Sequence, residues 1–458
     1  MIKQILLSSF LCVALFGEDI DELLSEFDDS PSTEVSQKKV EKKVAKKSEK
    51  ESQEDELLSG FDNEDESPHE NSTQKVDEVK NYRGSFTQSI NYSYKDKAKA
   101  PHKGLSSFKS RLFLEYKKDL TESFKFKANG VAFYDWVYVL RDSDRYTIEE
   151  KHSLKSEIEL YDLYIDGKLN ENLDLRIGRQ VVVWGRSDNI RVTDVINPLD
   201  LRKPGMVDIE DLRLPLGIVK FDYYVGDWDI SPLVIVEQRA NKTPPFGSQF
   251  YPSPTKLPSQ TMPNKTTYAL KIGGEFSGYD IDFYFADLIL PDEFGLPQYK
   301  REKSKMYGFA FNYIVGSWLF KGELAKKSDL KFVGLNGTYK KVDGLIGIEY
   351  NGIKETKISY DFAKRTFDKS SILFEKNIYQ HAFRISSDFV NATLHANYLL
   401  SLYGKNANKG GFQRAWIKYD IKDALSTNIG VVDYIGGSNK MDKFKNNDMI
   451  FADIVYSF

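Results

Sequence analysis

The last ten residues, Met449 to Phe458, alternate without a break up to an aromatic carboxyl terminus. Ile450, Ala452, Ile454, Tyr456 and Phe458 fall on one face, and Phe451, Asp453, Val455 and Ser457 on the other. Successive side chains of a strand point to opposite sides, so this segment has one oily side and one mixed side. A strand that keeps an apolar row against lipid and a polar row against water is the unit of a membrane barrel.

The same dyad pattern recurs along most of the chain. Leu112, Leu114 and Tyr116 alternate with Arg111, Phe113 and Glu115; Ile358, Tyr360 and Phe362 alternate with Lys357, Ser359 and Asp361. Eighteen such segments run from 84–94 to 449–458, among them 155–167, 173–183, 212–224 and 228–238. Each is near the roughly 9–11 residues a tilted spanning strand needs. Sixteen strands also fit, because 155–167 changes phase at Leu160–Tyr161 and 327–339 is ambiguous. Short turns such as Gly226–Asp227 and Ser277–Gly278 alternate with long connections such as 184–211, 239–265 and 290–304. The fold class expected is an all-β transmembrane antiparallel barrel over 83–458, with short turns in the periplasm and long loops outside.

Aromatic residues make up 14% of the chain while no segment after the leader approaches a spanning helix, which suits a barrel with aromatic girdles. The closing strand, through Ile450, Ile454, Tyr456 and Phe458, resembles the carboxyl-terminal signal of bacterial outer-membrane barrels, so the barrel-insertion machinery is an implied partner. Outer-membrane lipid and lipopolysaccharide are the expected surroundings.

The amino terminus fits export. Lys3 precedes an apolar run from Ile5 to Phe16, and residues 1–17 form a cleavable signal peptide. The only cysteine, Cys12, lies inside it, so the mature chain has no thiol. Residues 18–82 are expected to be a disordered, charged periplasmic tail, since Ser30–Glu54 has almost no large apolar residue. Two islands interrupt it: Asp21 to Asp28 recurs as Asp55 to Asp62 with one difference. In a helical turn Leu23, Leu24 and Phe27 cluster on one side, as do Leu57, Leu58 and Phe61, which makes the pair a repeated docking peptide for a periplasmic or exporter partner, or a duplicated low-complexity tail.

One connection stands apart. It follows Gly178-Arg179-Gln180 and carries Trp184-Gly185, then Asn197-Pro198-Leu199-Asp200. Arg186, Arg191, Arg202, Lys203 and Arg213 face Asp188, Asp194, Asp200, Asp208, Glu210 and Asp211, beside apolar Ile190, Val195 and Ile196. A long connection with so many apolar residues should pack against the lumen wall, either as a charged constriction or as an ion-paired plug. Arg179 is in phase with Leu173, Leu175 and Ile177, which face lipid, so a bulge is expected to turn it inward. The 239–265 connection holds six of the fifteen prolines and reads as a stiff, inert loop.

The segment 178–200 resembles an uncharacterised outer-membrane barrel family with a G-R-Q, W-G and N-P-x-D signature. Members are commonly encoded beside resistance-nodulation-division exporters and a LolA-like carrier. The resemblance implies transport of a lipid-like or hydrophobic substrate with a periplasmic or inner-membrane exporter. The alternatives are a stand-alone porin for small hydrophilic solutes and a plugged structural or adhesive barrel. No enzyme is expected. The histidines have no metal-ligand spacing, no phosphate loop or cofactor motif appears, and the net charge of −4 gives no footing for nucleic acid.

Overall fold

The computed structural model describes residues 81–95, 101–257, 262–290, 301–332, 335–371, 374–438 and 441–458. The expected signal peptide, the expected tail to residue 80 and both Leu-Leu-Phe islands lie outside them.

Eighteen antiparallel strands form one closed sheet in which each pairs with its sequence neighbours and the last returns to the first. The first is β1 (Tyr82–Ser93), followed by β2 (Gly104–Asp119), β3 (Phe124–Asp135), β4 (Ser156–Asn170), β5 (Leu173–Gln180) and β6 (Leu216–Val225). Continuing round the wall come β7 (Trp228–Ile235), β8 (Thr267–Phe276), β9 (Tyr279–Leu288), β10 (Ser304–Val315) and β11 (Trp318–Leu330). The remaining ones are β12 (Tyr339–Ile353), β13 (Thr356–Phe367), β14 (Asn377–Phe389), β15 (Leu394–Tyr403), β16 (Gly411–Lys422), β17 (Leu425–Ile435) and β18 (Met449–Ser457). The segment 327–339 divides between β11 and β12, so the count is eighteen and not sixteen. An exterior of Leu324, Ile346, Tyr360 and Ile454, all exposed, backs an interior of buried Glu323, Asp343, Asp361 and Arg414. That inversion of a soluble protein's pattern makes this a transmembrane barrel, the fold of outer-membrane proteins.

Closure follows from the terminal alternation. Phe86 lies opposite Tyr456 and Tyr92 opposite Ile450, while Gly84 and Phe458 exchange backbone hydrogen bonds of 2.8 and 2.9 Å. The Phe458 ring lies over Gly84, where a Cβ would stand 2.7 Å from the ring and 2.8 Å from the Phe113 carbonyl oxygen. Glycine at 84 therefore seats the terminal aromatic. Gly84→Val should cost about 1–3 kcal/mol through overpacking at the seam. It should lower the temperature at which the folded, heat-modifiable band disappears on a gel; an unchanged midpoint would show that the seam tolerates bulk.

Two expectations need correction. The wall ends at Gln180 and resumes at Leu216, so the connection spans 181–215 rather than 184–211. Val182 has already turned inward to donate its N–H to the buried Asn197 side chain, and Ile209–Leu212 is a helical turn, so the strand expected from 212 begins only at Leu216. Second, the phase change at Leu160–Tyr161 is a bulge in β4: the register with the preceding strand jumps between Ala128↔Leu163 and Gly130↔Leu160. Tyr161 and Asp162 stand against Asn129 alone, and that one extra residue lets Leu160 and Leu163 both face outward.

Candidate functional site: a segment folded into the lumen

Segment 181–215 leaves the wall between β5 and β6 and runs inside the barrel. Its motif residues account for the path. Gly178 has φ +136, and a Cβ there would fall 2.2 Å from the Leu163 carbonyl oxygen. Gln180, buried, donates to the Ile218 carbonyl at 3.1 Å and ties β5 to β6 below the opening. Asn197, fully buried, clamps the two ends: its Oδ1 accepts from the Val182 N–H at 2.9 Å and its Nδ2 donates to the Leu214 carbonyl at 2.8 Å. The Pro198 carbonyl accepts from Leu214 N at 2.8 Å, and Asp200 N donates to the Leu212 carbonyl at 2.7 Å.

Apolar packing lays the segment flat on one side of the lumen. Trp184 stacks on Tyr284 of β9 with centroids 4.7 Å apart. Ile190, Val192, Val195 and Ile196 join a cluster with Ala310, Ala325, Ala363 and Ala382, inward residues of β10, β11, β13 and β14. Methyl-sized side chains at these positions leave a shallow bed in the wall, so the backbone can approach closely.

Polar anchors fix the register. The Glu323 carboxylate of β11 accepts from the backbone N–H groups of Arg186 (2.7 Å), Ser187 (3.0 Å) and Thr193 (3.0 Å) and from the Thr193 hydroxyl (2.7 Å). Gly185, at φ +90, leaves room for it, because a Cβ would lie 3.0 Å from a Glu323 oxygen. Asp361 of β13 accepts from Ser187 Oγ and Asn189 Nδ2, both at 2.9 Å. Arg186 pairs with Asp282, and Asp188 lies 3.5 Å from Lys321. Arg384 of β14 (2.9 Å) and Arg414 of β16 both bind Asp208.

The expected charges thus divide: Arg186, Asp188 and Asp208 pair with the wall, while Arg191, Arg202, Arg213, Asp194 and Asp200 pair within the segment. Arg191 and Arg213 share the Asp194 carboxylate at 2.9 and 3.0 Å. Arg202 binds Asp200 and Glu157 of β4 at 2.5 and 2.7 Å. Arg179 touches this group only at its edge, 3.7 Å from Glu159, which Lys242 links to the Glu157 partner of Arg202. Its guanidinium donates to Glu237 at 3.0 Å and to the Leu160 carbonyl at 2.8 Å. The bulge that accommodates it is in β4, opposite, rather than in β5 itself. The anchors Glu323, Asp361, Arg384 and Arg414 were missed in the sequence; their only signal there is a charge on the inward phase of a strand.

Near its end the segment carries an acidic turn, Asp208, Glu210 and Asp211, of which Asp211 is exposed. Burial, then Asp211, Asp208 and Asp188, push the Glu210 carboxyl up to about 7, against Arg384. Desolvation and Asp208 also raise Asp211, while Arg111 of β2, Arg414 and Arg213 draw it down. Arg111 of β2 thus lies within electrostatic reach of these carboxylates, so opposite charges stand near one another inside the barrel. Glu210 binds its proton more tightly in the folded protein than in the unfolded chain. Its contribution to stability is therefore whole below the ordinary glutamate range and fades as pH rises to about 7. Over that rise a new negative charge appears in the acidic turn. Cation preference, read as reversal potential in a salt gradient, should strengthen with a midpoint near pH 7 and lose that step in Glu210→Gln.

The first described part of a second connection, 236–257, also packs inward and is not an idle outer loop. Phe250 is buried among Val432, Tyr434, Met449 and Phe451, on β17 and β18 across the barrel from its own strands β7 and β8. Gln249 donates to Ser93 at 3.1 Å, and Asn447 donates to the Gln249 carbonyl at 3.1 Å. Of its prolines, Pro258 lies outside the described residues. His395 sits between Asp388 (2.7 Å) and Asp420 (3.2 Å), whereas His381 contacts Tyr360 at 2.7 Å on the outer face, so the two do not meet.

Residues 54–359 match the family model described as "Protein of unknown function (DUF1302)". The chain belongs to that family. The match takes in β1 to β12 and the whole in-folded segment of this DUF1302 chain. No curated protein matches in sequence. Among solved structures it is similar to OccAB3 of Acinetobacter baumannii, at 12% identity and a TM-score of 0.51 over 82% of this chain and 98% of that one. It is also similar to the outer membrane protein opdK of Pseudomonas aeruginosa, at 10% identity and a TM-score of 0.49 over 82% and 98%. At such identities the likeness to OccAB3 is one of fold.

Proposed function

We propose that the chain is an outer-membrane channel whose throat is formed by segment 181–215 and which sorts small hydrophilic solutes by charge, without catalysis. The observation that carries this reading is the placement of Asp208–Asp211, pinned by Arg384 and Arg414 and set within electrostatic reach of Arg111. A plug built only for rigidity would gain little from clustering like charges, since that raises the cost of holding them. Purified protein in a planar bilayer should give discrete conductance steps, and Asp211→Asn with Glu210→Gln should shift the reversal potential toward anions. Steps of unaltered selectivity would remove the charge filter; no steps at all would favour the plugged barrel.

A second reading, coupling to a periplasmic or inner-membrane exporter for a lipid-like or hydrophobic substrate, rests on the G-R-Q, W-G and N-P-x-D resemblance and on docking through the tail. The family match begins at residue 54 and so includes the second island, 55–62, which favours a shared role for that copy. Lipid accumulation on deleting the gene, with small-solute uptake intact, would favour it over the porin.

A further inference from the structure

Outward-facing strand positions are apolar over most of the barrel, and one group of exceptions consists of exposed lysines on four consecutive strands. Lys305 of β10, Lys326 of β11, Lys340 of β12 and Lys364 of β13 are exposed and share the outward phase with Tyr307, Leu324, Val342 and Phe362. Cross-strand register brings them together. Lys326 lies between Tyr307 and Val342, Lys305 one row above it opposite Ser328, and Lys364 one row below opposite Gly344. Lys340 lies one row above Val342, where its carbonyl accepts from Asp368 N. None of the four has an ion pair among the described residues. Nearby Lys303 differs, since it pairs with Asp287 at 3.1 Å.

Their height is informative. Trp318 and Tyr350, with ring centroids 4.4 Å apart, mark the girdle beside the short turns. Lys326 is eight residues along β11 from Trp318, and Lys340 ten along β12 from Tyr350. At ~3.3 Å per residue and a tilt near 40°, these are ~20 and ~25 Å above that girdle, the top of an apolar band ~25 Å tall. By the same count Lys305, opposite Ser328, is ~25 Å up and Lys364, opposite Gly344, ~15 Å, its ammonium 5.9 Å from the Tyr379 ring. A long lysine stem carries its charge toward water, so four ammonium groups with no counter-ion among the described residues reach the level where outer-leaflet headgroups begin, beside an oily wall that can lie against acyl chains. An isolated cation there gains by meeting a fixed anion, and a lipid phosphate supplies one at the right depth.

We propose that this lysine cluster binds the phosphates of a phosphorylated glycolipid in the outer leaflet, with acyl chains running down the Leu324, Val342 and Phe362 face. The inference is independent of the channel reading, because these residues lie outside the pore.

Full-length protein in detergent would be tested against bisphosphorylated lipid A, the same glycolipid without phosphates, and phosphatidylglycerol. Wild type should hold the bisphosphorylated form at least about tenfold more tightly than either other lipid, and less so as salt rises. Lys305→Gln, Lys326→Gln, Lys340→Gln and Lys364→Gln combined should abolish that preference with unchanged conductance, while the four arginine substitutions keep it. Should the glutamine variant fail to fold, wild type and the arginine variant still decide the matter through phosphate and salt dependence. Equal affinity for the two glycolipids, unaltered binding by a folded glutamine variant, or equal capture of phosphatidylglycerol would each overturn the assignment.

Discussion

Glu323→Ala is expected to free the in-folded segment while leaving the barrel intact. One carboxylate satisfies three backbone N–H groups and a hydroxyl of the segment, and Thr193 among them is fully buried. Losing the acceptor strands those donors away from water, at about 3 kcal/mol or more in total. The wall of β11 does not depend on it, since its ladder to β10 and β12 is made of backbone bonds. Hydrogen exchange over 185–193 should accelerate, protease should cut there, and channel current should become larger and noisier. Glu323→Gln, which keeps one acceptor oxygen, should fall between the two. If the alanine variant protects 185–193 as wild type does, the apolar bed alone holds the segment and the anchor is incidental.

Asn197→Ala should act at the other end of the same structure. A single buried amide joins the start of the segment at Val182 to its end at Leu214. Alanine leaves one N–H and one carbonyl without partners, an expected cost of about 2–4 kcal/mol. Because the clamp sets where the chain departs from β5 and rejoins β6, the variant should lower the unfolding midpoint as well as widen the current distribution. Asn197→Asp keeps the acceptor for Val182 but opposes a carboxylate to the Leu214 carbonyl, and should be no better than alanine. A variant that melts and conducts like wild type would show that the amide is dispensable.

The strands were legible because lipid on one side and water on the other enforce a strict period of two, which survives without any neighbouring information. The inward course of 181–215 was legible too, since Trp184, Ile190, Val195 and Ile196 have no reason to be on an outer loop. Where it docks was not. Glu323 reads as any polar lumen residue, and Ala325 or Ala363 as any small one; their meaning depends on what lies across the barrel, a non-local fact. Arg179 misled for a related reason, because its relief comes from a bulge on the adjacent strand and from Glu237, far along the chain. The 236–266 connection was misread as inert because its proline content speaks of stiffness, while Phe250 finds its partners on β17 and β18 only after closure. For the opposed charges, pairing within the segment at Asp194 and Asp200 was invisible until the turn geometry was known.

The central claim is that 181–215 narrows a water-filled passage. Single-channel recording of wild type beside a variant lacking 186–211 tests it most directly. Discrete ohmic steps in wild type, and several-fold larger and less charge-selective steps after the deletion, are the predicted result. Equal conductance in the two proteins, or silence from both while each remains folded, would contradict it.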